Sequence, residues 1–218
     1  MKELLKAMLV LALLFASTFI IIKTAGVFTL ADIEDALEQI QRLHPGYLAV
    51  TVSGLLFADL FIAIPTMTVS ILAGHFLGWP MGAMAVIIGF YAAGITAYAI
   101  SYFYGWRLLN RIYKAPGKLE EMHQVFSAYG PAMLIVCRAM PILPEVSCCM
   151  AGATRMPFLK FLSMYSLGTV PYALITTYAG SISTVEQPTP AIMTAIIISL
   201  LLWSVWYFLG KRTGSSQR

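Results

Sequence analysis

Charge is what this sequence has least of. Of its 218 residues 11% are Asp, Glu, Lys or Arg, against 59% hydrophobic, where a soluble domain carries about 25% charged residues. So few ions cannot coat a water-soluble particle, which excludes an ordinary soluble enzyme. Cysteine is equally sparse. The three present, Cys137, Cys148 and Cys149, all fall in an apolar stretch, so no disulfide framework is implied and the vicinal pair is poorly placed to bridge itself. His44, His75 and His123 are far apart, and no Gly-x-Ser-x-Gly, His-Glu-x-x-His or glycine-rich phosphate loop with Lys occurs. The expected protein is not an enzyme, and it needs no cofactor and no resident metal. A formal net charge of +4 would suit nucleic acid, but Lys and Arg do not gather with exposed aromatics on one face. No nucleic-acid partner is expected.

What is abundant is apolar length, arranged in blocks, and it reads as an all-α polytopic integral membrane protein. Lys2 and Lys6 precede an apolar run at 7–22 that is too long for a cleaved signal and makes a first span with the N-terminus cytoplasmic. Residues 29–44 read as a short amphipathic helix outside the bilayer, ended by Pro45-Gly46. The block at 47–79 exceeds the ~20 residues of one span yet cannot hold two with a turn. Its centre carries Asp59, Pro65, Thr66, Thr68 and Ser70, which fits a re-entrant helical hairpin whose polar kink is covered by other helices. Residues 81–104 form a clean span. The loop at 105–129 holds Arg107, Arg111, Lys114 and Lys118 and faces the cytoplasm by the positive-inside rule. Residues 131–153 are broken by Arg138, Pro141, Pro144 and Glu145, giving a second hairpin entered from the cytoplasm. Spans at 158–181 and 191–209 follow, with Lys211, Arg212 and Arg218 in a cytoplasmic tail. The expectation is four transmembrane helices plus two inverted re-entrant hairpins. It divides into an N-terminal part at 1–46, a core at 47–181 and a C-terminal span and tail at 182–218.

The two broken blocks repeat one pattern. Ile64-Pro65-Thr66 precedes Ala73-Gly74, Pro80 and Gly89; Leu143-Pro144-Glu145 precedes Ala151-Gly152, Pro157 and Gly168. Entering from opposite sides, such units are related by an axis in the membrane plane, the construction of secondary transporters. Recurrence of Pro, Ala and Gly in membrane sequences by chance is the bland alternative.

Over residues 57–181 the motifs Ala73-Gly74-x3-Gly78, Phe126-x3-Gly130-x7-Arg138-x2-Pro141, Ala151-Gly152-x3-Met156-Pro157 and Gly168 resemble the DedA or VTT-domain superfamily of membrane proteins. The resemblance implies two facing re-entrant loops and movement of lipids across the bilayer, polyprenyl phosphates and phospholipids among them, in some members driven by the proton-motive force. Pro65, Asp59 and Ala73-Gly74 match the family's first re-entrant segment. Many members carry a second Arg six residues after the first, where this chain has Pro144 followed by Glu145, so a two-arginine phosphate clamp is not carried over.

Within the broken segments the charges left are Asp59, Arg138 and Glu145. Arg138 presents a planar fork that grips a phosphate with parallel hydrogen bonds; an ion pair with Glu145 or Asp59 locking the hairpins together is the structural alternative. Glu145 and Asp59 are the candidates for carrying a coupled proton. Thr66, Ser70 and Ser147 are candidate donors to head-group oxygens, although hydroxyls in membrane helices usually bond their own backbone. Pro65, Gly74, Pro141, Pro144 and Gly152 mark the hairpin breaks. Cys148-Cys149 read as buried, inert thiols rather than a soft-metal site. Tyr91, Tyr98, Tyr102, Tyr104 and Trp106 read as an interfacial aromatic belt. Gly82, Gly89 and Gly94 suit internal helix contacts or a homodimer. The function expected is translocation of an anionic lipid in a bacterial inner membrane by a flippase or scramblase. The alternatives are a proton-coupled ion or small-solute exchanger and a non-transporting membrane-organisation factor.

Overall fold

A computed structural model of the chain describes residues 44–62, 64–105, 118–139 and 143–183, with the isolated positions Leu9, Leu13, Ser17 and Leu37. The expected N-terminal span, external amphipathic helix, Pro141, C-terminal span and basic tail lie outside these residues. Every described element is helical. Pro45 occupies the first position of α1 (Pro45–Ala58), where its missing N–H costs nothing, and His44 Nδ1 accepts the Gly46 N–H at 3.0 Å. The Pro45-Gly46 pair therefore opens a helix as well as closing what precedes it. At the far end Asp59 breaks the chain. Its Oδ1 accepts the Ile64 N–H across the break at 2.8 Å, and Pro65, immediately before α2 (Thr66–Leu77), starts the next helix.

Gly78, at φ 76, turns the chain into α3 (Trp79–Ile100), which widens into a π-helix over Ser101–Gly105. Helix α4 (Lys118–Val136) ends in a 3-10 turn at Cys137–Ala139. Helices α5 (Leu143–Ala153) and α6 (Phe158–Ile182) follow. The stretch expected as a loop to residue 129 is thus helical from Lys118 onward, and Pro131 lies inside α4 rather than at its start. Charge at Lys118, Glu120 and Glu121 disguised it. Phe126, fully buried in the core, is what anchors this first half of α4.

Two helical stretches, Trp79–Gly105 and Phe158–Ile182, are long and apolar enough to cross a membrane. Their outer faces expose Met84, Ile88, Leu159, Leu167 and Ile175, apolar side chains of the kind that face lipid. The two run antiparallel. Trp79 Nε1 at the start of α3 donates to Leu174 O near the end of α6 (3.2 Å), and Tyr98 Oη near the end of α3 donates to Met156 O just before α6 (2.6 Å).

The second arm of each broken pair runs to an opposite end of this frame. Gly74 in α2 lies against Thr177 of α6, so close that a Cβ would overlap the Thr177 carbonyl; Gly152 in α5 lies equally close to Tyr98 O. Neither glycine is at a break, contrary to expectation. Both sit within helices, and their missing side chains let two backbones touch. Gly82, Gly89 and Gly94 are likewise filled by Ala73, by Ser53 and Leu56, and by Tyr165, all within the chain. The core has two parts: one around Val52, Leu56, Val69, Phe90 and Tyr172, the other around Tyr98, Phe126, Val146, Phe161 and Tyr165. The breaks of the two arms meet at the seam between them.

Candidate functional site

Asp59 ends α1, Arg138 lies in the 3-10 turn after α4, and Pro144 and Glu145 stand in the first turn of α5. These four, separated by up to 86 positions in sequence, line one cavity with Phe90, Gly94 and Tyr165. The interruption of each helix is what delivers them. A continuous helix would carry its polar residues past one another on separate faces, whereas a helix end presents a cap, a first turn and an exposed backbone at one point. Helix polarity agrees with the charges placed there: an acid in the first turn of α5 and a base at the end of α4.

Arg138 is buried and held by aromatic rings. Its Cζ lies 3.7 Å from the centroid of Phe90, 5.5 Å from Tyr165 and 5.8 Å from Tyr172. One terminal nitrogen donates to Tyr165 Oη at 3.4 Å, and Tyr165 in turn donates to Phe90 O at 2.7 Å. Nε makes no hydrogen bond. No carboxylate among the described residues pairs with the guanidinium, so the locking ion pair admitted by the sequence is not formed in this conformation. Stacking on rings holds the fork in place and leaves donors uncommitted, the arrangement in which a planar cation can take an oxyanion. Asp59 and Glu145 line the same cavity as the guanidinium. The cavity among them has a volume of about 10 Å³, room for roughly one water.

Thr66, Ser70 and Ser147 do not line this cavity. Ser70 Oγ is spent on Thr66 O, four residues back on its own helix, at 2.7 Å. Ser147 is buried on α5 one turn beyond Pro144. Pro65 and Pro144 do stand at helix starts, as expected of breaks. Cys137, Cys148 and Cys149 are free thiols.

The tyrosines of α3 depart most from expectation. Tyr98 is buried, and Tyr91 donates to Ser166 of α6. Tyr104 is exposed, as a belt residue would be, and Trp106 lies outside the described residues, whereas Tyr102, Tyr98, Phe161 and Tyr165 form a stacked column with centroid separations of 5.8, 4.5 and 5.5 Å and interplanar angles of 27°, 18° and 24°. The spacing of Tyr98 and Tyr102, and of Phe161 and Tyr165, is i to i+4 on two helices, a signal visible in the sequence once the helices are paired. Phe90 and Tyr172, which cover Arg138, carried no such signal.

Two long apolar helices with apolar outer faces and a cluster of charged side chains where helices end are the make-up of a helical membrane protein. The sequence matches the VTT domain over residues 64–182. It is 28% identical over 199 residues to an uncharacterized membrane protein of Synechocystis sp., spanning 82% of this chain and 90% of that one. It is 26% identical over 154 residues to undecaprenyl phosphate transporter A of Bacillus subtilis, spanning 65% and 77%. It is 23% identical over 175 residues to protein DedA of Escherichia coli, spanning 70% and 80%. The chain belongs to the DedA/VTT-domain family. No solved structure matches it.

Proposed function

We propose that this protein is a transporter that moves an anionic lipid, a polyprenyl phosphate or a phospholipid, across the bacterial inner membrane with proton coupling and without covalent chemistry. The observation that carries this reading is Arg138: a guanidinium buried at the meeting of two opposed helix breaks, stacked rather than salt-bridged, with Nε unbonded. A relative is named an undecaprenyl phosphate transporter, and undecaprenyl phosphate is such a lipid.

Arm lengths support the membrane placement. Helices α2 and α5, of 12 and 11 residues, rise about 17–18 Å each, a little over half of the roughly 30 Å hydrocarbon core. Two arms reaching in from opposite faces therefore bring Asp59, Arg138 and Glu145 to the midplane, as re-entrant hairpins. The positive-inside rule puts both termini in the cytoplasm.

With about 10 Å³ free, the cavity admits a water and no phosphate, so the site has to widen before a head-group can enter. Opening to one leaflet lets a head-group phosphate engage the Arg138 fork while the acyl or prenyl chain stays in lipid. Asp59 and Glu145 stand in the same cavity and are the carboxyls available to carry the coupled proton; a carboxylate there places negative charge beside Arg138 and competes with the phosphate for it. Release of lipid and movement of a proton are coupled through that competition.

Reconstitution of the purified protein with labelled polyprenyl phosphate and labelled phospholipids, with and without a pH gradient, tests the proposal. Lipid reorientation that depends on the gradient, falls at least tenfold in Arg138→Ala and loses its gradient dependence in Glu145→Gln is the expected result. Proton flux driven by a small solute with no lipid reorientation identifies an exchanger instead. Parent rates in Arg138→Ala, Glu145→Gln and Asp59→Asn together would remove the site.

A further inference from the structure

Arg155 closes α5 with a backbone the fold did not need an arginine for. It has φ 54, the one non-glycine residue at positive φ among the described residues. Its N–H bonds Gly152 O at 2.9 Å, and the Met156 N–H bonds Ala151 O at 3.0 Å, the pair of bonds that ends a helix through a left-handed residue, a place glycine takes without strain. The side chain is exposed, with Cζ 5.4 Å from the Tyr102 ring. It makes no hydrogen bond or ion pair among the described residues.

This guanidinium lines a groove of about 330 Å³ whose other walls include Tyr98, Tyr102, Phe103, Met156 and Phe158. Phe103 and Phe158 are exposed. The groove lies where α3 finishes and α6 begins, at one shared end of the two spans, and the π-helix Ser101–Gly105 forms part of it. π-Turns within a helix often mark functional sites. Along α3 its residues 95–103 lie beyond residues 90–97, which line the Arg138 cavity; at 1.5 Å per residue the two sites are about 9 Å apart along the helix axis. The stacked column joins them. Arg155 stands over its outer ring, Tyr102, and Arg138 over its inner ring, Tyr165, at 5.4 and 5.5 Å.

We propose that this groove is the interfacial docking site for the phosphate head of an anionic lipid, with Arg155 as the phosphate ligand and the aromatic walls holding the start of its chain. The inference rests on the lipid-transport reading above and adds a station outside the Arg138 cavity. Among the described residues that line it, one fork-shaped cation stands beside walls that are otherwise aromatic or aliphatic, which is complementary to an amphiphilic anion; a free inorganic ion would leave those walls facing water.

Native mass spectrometry of the purified full chain in maltoside detergent, with monododecyl phosphate as probe, tests it. Monododecyl phosphate should bind the parent and the Ser70→Ala variant alike. Arg155→Gly and Arg155→Asn, both residues suited to a left-handed helix end, should lower occupancy about tenfold in either background while melting no lower than the parent. Undiminished binding in both Arg155 variants overturns the docking site and leaves the Arg138 reading standing. Binding of inorganic phosphate as tight as that of monododecyl phosphate overturns the lipid as occupant. Failure of the parent to reorient lipid, with Arg155-dependent binding intact, counts against the transport reading alone.

Discussion

Replacing Arg138 by Lys keeps the charge and removes the plane. In the parent the guanidinium lies 3.7 Å over the Phe90 ring and donates at 3.4 Å to Tyr165 Oη. A desolvated cation–π contact contributes about 2 kcal/mol, and a hydrogen bond of a charged group about 1.5–3, with the 3.4 Å separation putting this one at or below the lower end. An ammonium retains part of each, so a net loss near 3 kcal/mol is an upper figure. If that positioning is what allows the fork to engage a phosphate, lipid reorientation in proteoliposomes should fall by up to about 150-fold at unchanged reconstitution yield. The partner perturbation is Phe90→Leu, which removes the ring and keeps the bulk. A double-mutant cycle should show a coupling of about 2 kcal/mol between positions 90 and 138, because the stacking is lost once and cannot be lost twice. Arg138→Lys at the parent rate, or losses at the two positions that simply add, would refute the argument that ring stacking presents the fork.

Gly74→Val should be severely destabilising, lowering the melting temperature of the purified protein or preventing its accumulation, because a side chain there overlaps the backbone of Thr177 and overpacking costs about 1–3 kcal/mol even where neighbours can yield. Ser70→Ala should leave transport within about twofold of the parent, since its hydroxyl bonds Thr66 O and carries no part of the cavity; a large loss would return Ser70 to the site. Tyr98→Phe deletes the 2.6 Å bond to Met156 O and should cost about 1 kcal/mol, read as a lower thermal midpoint with the stacked column intact.

The pieces of the fold legible in the sequence were those written in hydropathy and in prolines. Residues 81–104 and 158–181 were recognisable as spans, and Pro65 and Pro144 marked helix starts because a ring without an N–H leaves few other places in a helix. Asp59, Arg138 and Glu145 were recognisable as a set because ions inside apolar blocks are costly and so are seldom idle. Three other features were hidden. Helix α4 was masked by its charges, since the signal for a helix leaving the membrane lies in the one buried face that Phe126 provides. Gly74 and Gly152 looked like breaks because glycine weakens a helix and also lets helices approach, and a sequence does not say which. The hydroxyl donors Thr66, Ser70 and Ser147 share segments with the site, but the direction in which each helix presents its faces depends on the partner it packs against. For the same reason Phe90 and Tyr172, ordinary aromatics in apolar runs, became the cradle of Arg138.

The glycine contacts bear on how such a molecule can move. Arm α2 belongs to the first half of the chain and is fastened backbone to backbone on α6 of the second; arm α5 of the second half is fastened on α3 and the π-helix of the first. The halves are thus cross-laced. A seesaw motion of one half against the other would have to tear both lacings at once, where overlap leaves no play for sliding. Any opening of the ionic centre has to leave both lacings whole, so crosslinking α2 to α6 should leave transport running; loss of transport in that crosslinked protein would mean that the halves do rock apart.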